Sequence, residues 1–174
     1  MPIRCVVCRA RRVVLTTWSG YVTVDEIVQN AKRLCVDPDF DSTFSELIDL
    51  RDFSGTNATA ADLSYFSEED DPFSLGARRA MFASSELAFG IARMYEILRG
   101  ETEEFAVFHT LEEACQWLGV AQWAPLLAEL ALLDKWEKDY TNGFLRREEI
   151  DSRKARQQRR KEIMEQIQRL DRSA

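Results

Sequence analysis

A single histidine, His109, stands in a chain of 174 residues. Any chemistry that needs two imidazoles is thereby excluded, a multi-histidine zinc centre among them. The seven glycines are scattered and form neither G-x-G-x-x-G nor G-x-x-x-x-G-K-[S/T], so no glycine-rich phosphate loop is available. Four cysteines are too few for a disulfide-dense scaffold. Apolar runs are short, and none approaches the roughly 20 residues of a membrane span. Arg4, Arg9, Arg11 and Arg12 break up the first stretch, with no small-residue cleavage site after them. Neither a signal peptide nor a span is expected, and a cytoplasmic location is. An excess of positive charge is lacking too. With 23 Lys and Arg against 30 Asp and Glu, the net charge is −7. That favours solubility and disfavours nonspecific contact with nucleic acid or anionic membrane.

What is present describes a folded globule, 45% hydrophobic and 30% charged. The length allows one well-formed domain without a metal or disulfide staple, and leaves room for an appendage. Ile3 to Cys8 and Val13 to Trp18 are β-branched runs that read as a hairpin, although the turn lacks Gly or Asn. Gly20 breaks the second run. Thr23 and Glu26 then form a capping box for a helix carrying Ile27, Ala31 and Leu34, which Pro38 stops. Phe44 to Leu50 reads as a third strand, followed by a polar turn from Arg51 to Gly55. Thr59 can cap a helix with Leu63 and Phe66 that runs into the acidic stretch Glu68 to Asp71. Ala80 to Ala83 is a short fourth strand. Ser84 or Ser85 caps a helix with Leu87, Ile91, Met94, Tyr95 and Leu98, stopped by Gly100. Phe105 to Phe108 is the fifth strand, and Thr110 with Glu113 repeats the capping box at the start of a last helix ended by Gly119. The order ββαβαβαβα predicts a mixed five-stranded sheet, largely parallel, with one antiparallel edge and flanking helices.

Composition changes after Gly119, which predicts an α/β domain over 1–119 and a helical extension over 120–174. Residues 146–174 hold ten Lys or Arg against six Asp or Glu, a charge of +4 that leaves −11 on the rest. Between Trp123 and Trp136 the apolar positions almost encircle the helix. Leu126, Leu130 and Leu133 form one stripe, broadened by Trp123, Leu127 and Leu132. One packed face needs far less. The excess predicts a homodimer with Trp123, Leu126, Leu127, Leu130, Leu133 and Trp136 in or beside the interface. The following helix has only Ile163, Ile167 and Leu170 as a stripe, with Glu165 and Arg169 as a supporting pair.

Residues 1–119 resemble the SpoIIAA-like, STAS-like fold family of anti-sigma-factor antagonists, in a poorly characterised bacterial branch. The resemblance lies in the element order and in the segments Leu15–Gly20, Asp37–Asp41, Leu47–Asp52 and Leu87–Tyr95. It implies a STAS-like mixed sheet. It also implies a serine, at the start of the helix after the third strand, that a partner kinase phosphorylates. Asp52-Phe53-Ser54-Gly55 lies at that junction, with Phe53 where the family has a hydroxyl residue. Ser54 and Thr56 are therefore the candidate phosphorylation sites, and Asp49, Arg51, Asp52 and Phe53 the candidate interaction surface.

Other constellations read as ordinary structure. Cys5 and Cys8 form a C-x-x-C inside a strand, where a three-residue offset sends the thiols to opposite faces. Cys35 and Cys115 are isolated. Asp37, Asp39 and Asp41 resemble the start of a calcium loop, but Ser42 and Ile48 occupy the glycine and glutamate positions. No metal or cofactor is expected. The acidic run can pair with Arg78 and Arg79. No nucleophile adjoins His109 in sequence, and no catalytic residue is assigned. The first functional reading is a non-catalytic regulatory or protein-interaction module. The alternatives are a small apolar ligand or lipid binder, suggested by Phe40, Phe44, Phe53, Phe66 and Phe73, and an enzyme of unrecognised type.

Overall fold

The computed structural model of the chain describes residues 2–99, 104–139 and 147–169, with side chains given for all of these except 134–139 and 147–151. Two compact units are present, Met1–Ala121 and Gln122–Ala174.

In the first unit, β1 (Ile3–Cys8) pairs antiparallel with β2 (Val13–Val22). The turn between them has no Gly or Asn; Arg12 takes the left-handed backbone conformation instead, at φ 55°. Strands β3 (Ser45–Thr56), β4 (Arg79–Phe82) and β5 (Phe105–Phe108) follow in parallel, and the sheet order is β1-β2-β3-β4-β5. This is the mixed five-stranded sheet with flanking helices that the resemblance implies.

Sequential order has a consequence for the helices. Right-handed crossovers between neighbouring parallel strands deliver every connecting helix to the same face. Accordingly α1 (Val24–Cys35), α2 (Ala60–Tyr65) and α3 (Glu86–Leu98) cover the face that presents Ile48, Leu50, Phe53 and Met81. α4 (Leu111–Trp117) packs on strands β3, β4 and β5 with Leu111, Ala114 and Cys115 buried. Thr23 and Thr59 close full capping boxes with Glu26 and Asp62, and Ser85 and Thr110 cap α3 and α4. Such caps satisfy amides that the first helical turn leaves free, typically for ~1 kcal/mol each. α2 is continued by one π-helical turn, Phe66–Asp70. Gly119 ends α4 at φ 77° as a left-handed terminator. Gly100, the expected stop of α3, lies outside the described residues.

Two strands are longer than their sequence suggests. The third was expected to end at Leu50 in a polar turn, but β3 continues through Arg51–Gly55 to Thr56. Its partner explains why. β2 does not stop at Gly20; it passes through it at φ 71°, with register shifts on either side, and continues to pair with β3 out to Val22–Thr56. Glycine here permits a bulge within a strand rather than ending it. Gly55 faces Tyr21 closely: a Cβ there would lie 3.3 Å from the Tyr21 ring.

In the second unit, a 3-10 turn (Ala121–Trp123) leads into α5 (Ala124–Asp139), and α6 (Arg147–Arg169) follows. Arg159 of α6 holds Glu129 of α5 through two bonds of 2.7 and 2.8 Å. Ile163 and Ile167 are buried, and Arg169 lies 3.1 Å from Glu165. Leu170 is outside the described residues. Among those described, no helix is long and apolar enough to cross a membrane.

Candidate functional site

A polar row crosses the otherwise apolar inner face of the sheet, with one residue on each of four neighbouring strands. Strand alternation sets it up: Ile48 and Leu50 face the helices, so Glu46 does too, and Arg79 shares a face with Met81. Register then places Cys5 opposite Thr16 and Glu46 opposite Arg79. The Thr16 hydroxyl donates to Glu46 Oε1 at 2.6 Å. Arg79 donates to Glu46 Oε2 from Nε at 2.8 Å and lies 2.6 Å from it through Nη2. At the β1 end, Cys5 Sγ is 3.4 Å from the Thr16 hydroxyl and accepts from Asn30 Nδ2 of α1 at 3.2 Å.

The row continues into the helical layer. Arg79 Nη1 donates to Asp71 Oδ2 at 2.6 Å, and Arg99 also donates to that carboxylate. Asp71 directly follows the π turn, so this clamp fixes the exit of the α2 segment. Tyr95 of α3 lies 3.4 Å from Asp71 through its hydroxyl. The Arg79 guanidinium also sits 4.8 Å from the centre of the Phe73 ring and 5.8 Å from that of Phe105. Glu46 and Arg79 are each only 4% exposed. Burial works against the Arg79 charge, but Glu46 and Asp71 overcome it and hold its pKa above the ordinary arginine range. Burial likewise raises the Cys5 thiol and the Tyr95 phenol, keeping both protonated near neutrality.

Above this row lies a cavity between the sheet and α1, α2 and α3, in which the centre of a water molecule can range over about 60 Å³. One water needs only ~10–15 Å³ by that measure. Its walls are largely apolar, among them Trp18, Ile48, Phe53, Leu63, Met81 and Ile91, while Thr16, Asn30, Glu46, Arg79 and Tyr95 converge on it. A second pocket, of about 170 Å³ in the same measure, lies between α1 and the α2 segment. Ile27, Ala58, Leu63 and Phe66 line both pockets. These four side chains form a common wall. A short helix with a π turn is a common feature of functional segments.

The residues singled out from sequence fall elsewhere. Asp49 is buried on the opposite face of β3, where it accepts from the Arg51 backbone at 3.1 Å and from Arg51 Nε at 3.0 and 2.9 Å. Arg51 is half-buried and stacks over Phe82 at 5.4 Å. Phe53 is buried against Trp18. Of the four expected surface residues, only Asp52 is exposed. Asp49 is buried on the face opposite Ile48 and Leu50, and Phe53 joins Ile48 and Leu50 because the register shift between Asp49 and Asp52 reverses the alternation. Ser54 is exposed and Thr56 half-buried, and both belong to β3 rather than to a turn at a helix start. The Thr56 hydroxyl accepts from Ala58 N at 3.0 Å, while Thr59 provides the helix cap.

His109 is exposed and stacks on Phe89 with ring centres 3.7 Å apart. Cys115 is buried, and burial together with the Glu112 and Asp49 carboxylates pushes its thiol up to about 12. The two therefore do not form a nucleophile and its base. Asp37 and Asp41 cap their own loop by accepting from Asp39 N and Thr43 N, each at 2.9 Å. Within the acidic run, Asp71 pairs with Arg79 as the sequence suggested, whereas Arg78 stacks over Trp117 at 4.1 Å. Trp123, in the 3-10 turn before α5, is buried; on α5 Leu127 is buried, Leu126, Leu130 and Leu133 are half-buried, and Leu132 is exposed. The Trp136 side chain lies outside the described residues.

Sequence reasoning missed Glu46 and Arg99, and named Arg79 only as a partner of the acidic run. The available signal was a charged residue at an inward position of two apolar strands. Of the five phenylalanines that suggested an apolar ligand, Phe53, Phe66 and Phe73 line the cavity.

No family model matches the chain. No curated protein matches it either. Among solved structures, it is similar to the crystal structure of an uncharacterized protein from the DUF3478 family with a SpoIIAA-like fold, from Shewanella loihica PV-4. The identity is 21% and the TM-score 0.42, over 61% of this chain and 83% of that one.

Proposed function

We propose that the first unit is a non-catalytic binding module of regulatory type, and that its regulatory event is occupation of the inner cavity by a small, mainly apolar molecule. The observation that carries this reading is the cavity itself, with apolar walls and polar groups converging on one side. Ligand sites in proteins have that composition. At about 60 Å³ the space is smaller than the ~150 Å³ that accommodates a benzene-sized guest, so a guest of that size also takes up the second pocket, of about 170 Å³, across the shared wall. Titration with 1-hexanol tests it, read by the fluorescence of Trp18 in the cavity wall. A saturable change that disappears in Trp18→Phe supports the reading. A linear, non-saturable response in the wild type removes it.

A second reading, control by phosphorylation after Leu50, is favoured by the exposure of Ser54. A cognate kinase should then incorporate phosphate that is lost in Ser54→Ala with Thr56→Ala. Unchanged incorporation in that double variant would end this reading. Self-association through α5 is likewise a proposal, supported by the exposed Leu132 beside half-buried Leu126, Leu130 and Leu133.

A further inference from the structure

Two carboxylates and two guanidiniums form one cluster, of which Glu46 and Arg79 line the cavity, and each is spent on another. Glu46 takes Thr16 on one oxygen and Arg79 on the other. Asp71 takes Arg79 and Arg99 on a single oxygen. The formal charges of the quartet cancel. Cys5 and Asn30 bond one another and add no charge, since burial holds the thiol protonated. The cavity wall therefore offers a guest dipoles and apolar surface, with no ionic partner to spare. The second pocket, across the shared wall, is lined by Asp62 and Asp70, and Glu68 and Glu69 stand exposed on the same π turn. Their field opposes the approach of an anion.

We propose, resting on the ligand-binding reading above, that the occupant is uncharged: a hydrocarbon of about six carbons with at most a hydroxyl or carbonyl end. A carboxylate guest meets the acidic side chains of the second pocket, and the one cation in the cavity wall, Arg79, is already paired with Glu46 and Asp71. An ammonium guest is drawn to the second pocket but meets in the cavity wall only Glu46, already neutralised by Arg79. Either ion would surrender its water without compensation. A hydroxyl loses far less and finds partners in Thr16, Asn30 and Tyr95 on the wall.

The test titrates the full-length protein at pH 7 with 1-hexanol, hexanoate and hexylammonium, following the methyl signals of Ile48 and Ile91. The expected result is that 1-hexanol binds at least tenfold more tightly than either ion. Equal or tighter binding of an ion, with 1-hexanol also bound, overturns the charge argument while leaving the cavity reading intact. No binding of any of the three overturns the cavity reading, and this proposal with it. A gain-of-function variant adds an independent arm. Glu46→Gln leaves the quartet with one net positive charge, and should raise hexanoate affinity about tenfold while leaving 1-hexanol within threefold. A folded Glu46→Gln protein that gains no hexanoate affinity contradicts the proposal. Should that variant fail to fold, the three-ligand comparison in the wild type still decides the matter.

Discussion

Arg79→Met is the perturbation that loads the buried row most heavily. The guanidinium makes three contacts of 2.6–2.8 Å to two carboxylates while 4% exposed. Hydrogen bonds to charged groups contribute ~1.5–3 kcal/mol each, a gross loss of ~5–9 kcal/mol. Methionine restores apolar contact with Phe73 and Phe105, and Arg99 still serves Asp71. The net loss should match that of breaking a buried ion pair from one side, ~3–5 kcal/mol. Glu46 is the group left stranded. Native-state hydrogen exchange at the β3 and β4 amides of Leu47, Ile48 and Met81 reads this unit without interference from α5 and α6. Protection there should fall by roughly 10²–10⁴-fold, at 1.36 kcal/mol per factor of ten. Adding Glu46→Leu should recover most of the loss, because an apolar pair of similar volume can replace a buried ion pair at little cost. A single variant that loses less than tenfold protection would refute this reasoning. So would a double variant whose loss equals the sum of the two singles.

Filling the cavity should be tolerated. Ala92→Leu places three carbons beside a space of about 60 Å³, so its stability should lie within ~1 kcal/mol of wild type, where a filled core would lose ~1–3 kcal/mol. A loss above 3 kcal/mol in chemical denaturation would mean that no space exists there. Thiol labelling of the native protein at pH 8 should proceed rapidly at exposed Cys35 and only through unfolding at Cys8 and Cys115. Alkaline pH should weaken the fold through Cys115. Its folded pKa is raised from 9.0 to about 12, so its contribution is complete below pH 9 and is lost as pH rises toward 12. The stability slope over that window should be shallower by up to ~1.4 kcal/mol per unit in Cys115→Ala, and equal slopes would contradict the assignment. If α5 joins two copies, sedimentation equilibrium at micromolar protein should give twice 20.1 kDa. A mass of 20.1 kDa across a wide concentration range would exclude the dimer.

Local signals carried the architecture. Thr23 with Glu26 marks a helix start that closes as a capping box, and Thr59 and Thr110 mark two more helix starts that they cap. The alternation of Leu47, Ile48 and Leu50 between faces marks a strand, and sequential elements joined by right-handed crossovers leave few arrangements of the helices. What escaped reading depended on partners distant in sequence. β3 continues to Thr56 because β2 offers a partner that far, a property of Gly20 and its bulges rather than of residues 51–56. That extension turned Phe53 inward and put Ser54 in a strand. Glu46 and Arg79 are 33 residues apart and become neighbours only through the β3–β4 register. Each alone looks like a polar residue at a strand end. Asp71 looks like the end of a solvated acidic run, yet the π turn carries it inward to two arginines.

The central claim is that the space between the sheet and α1–α3 receives an uncharged apolar guest. Methyl-resolved NMR of the full-length protein with 1-hexanol measures this most directly, because its isoleucines report separately on the two units. Saturable shifts should appear at Ile27, Ile48 and Ile91 in the cavity wall, while Ile163 and Ile167 of α6 stay unmoved. Shifts confined to Ile163 and Ile167, or uniform and non-saturating shifts throughout, would contradict the account.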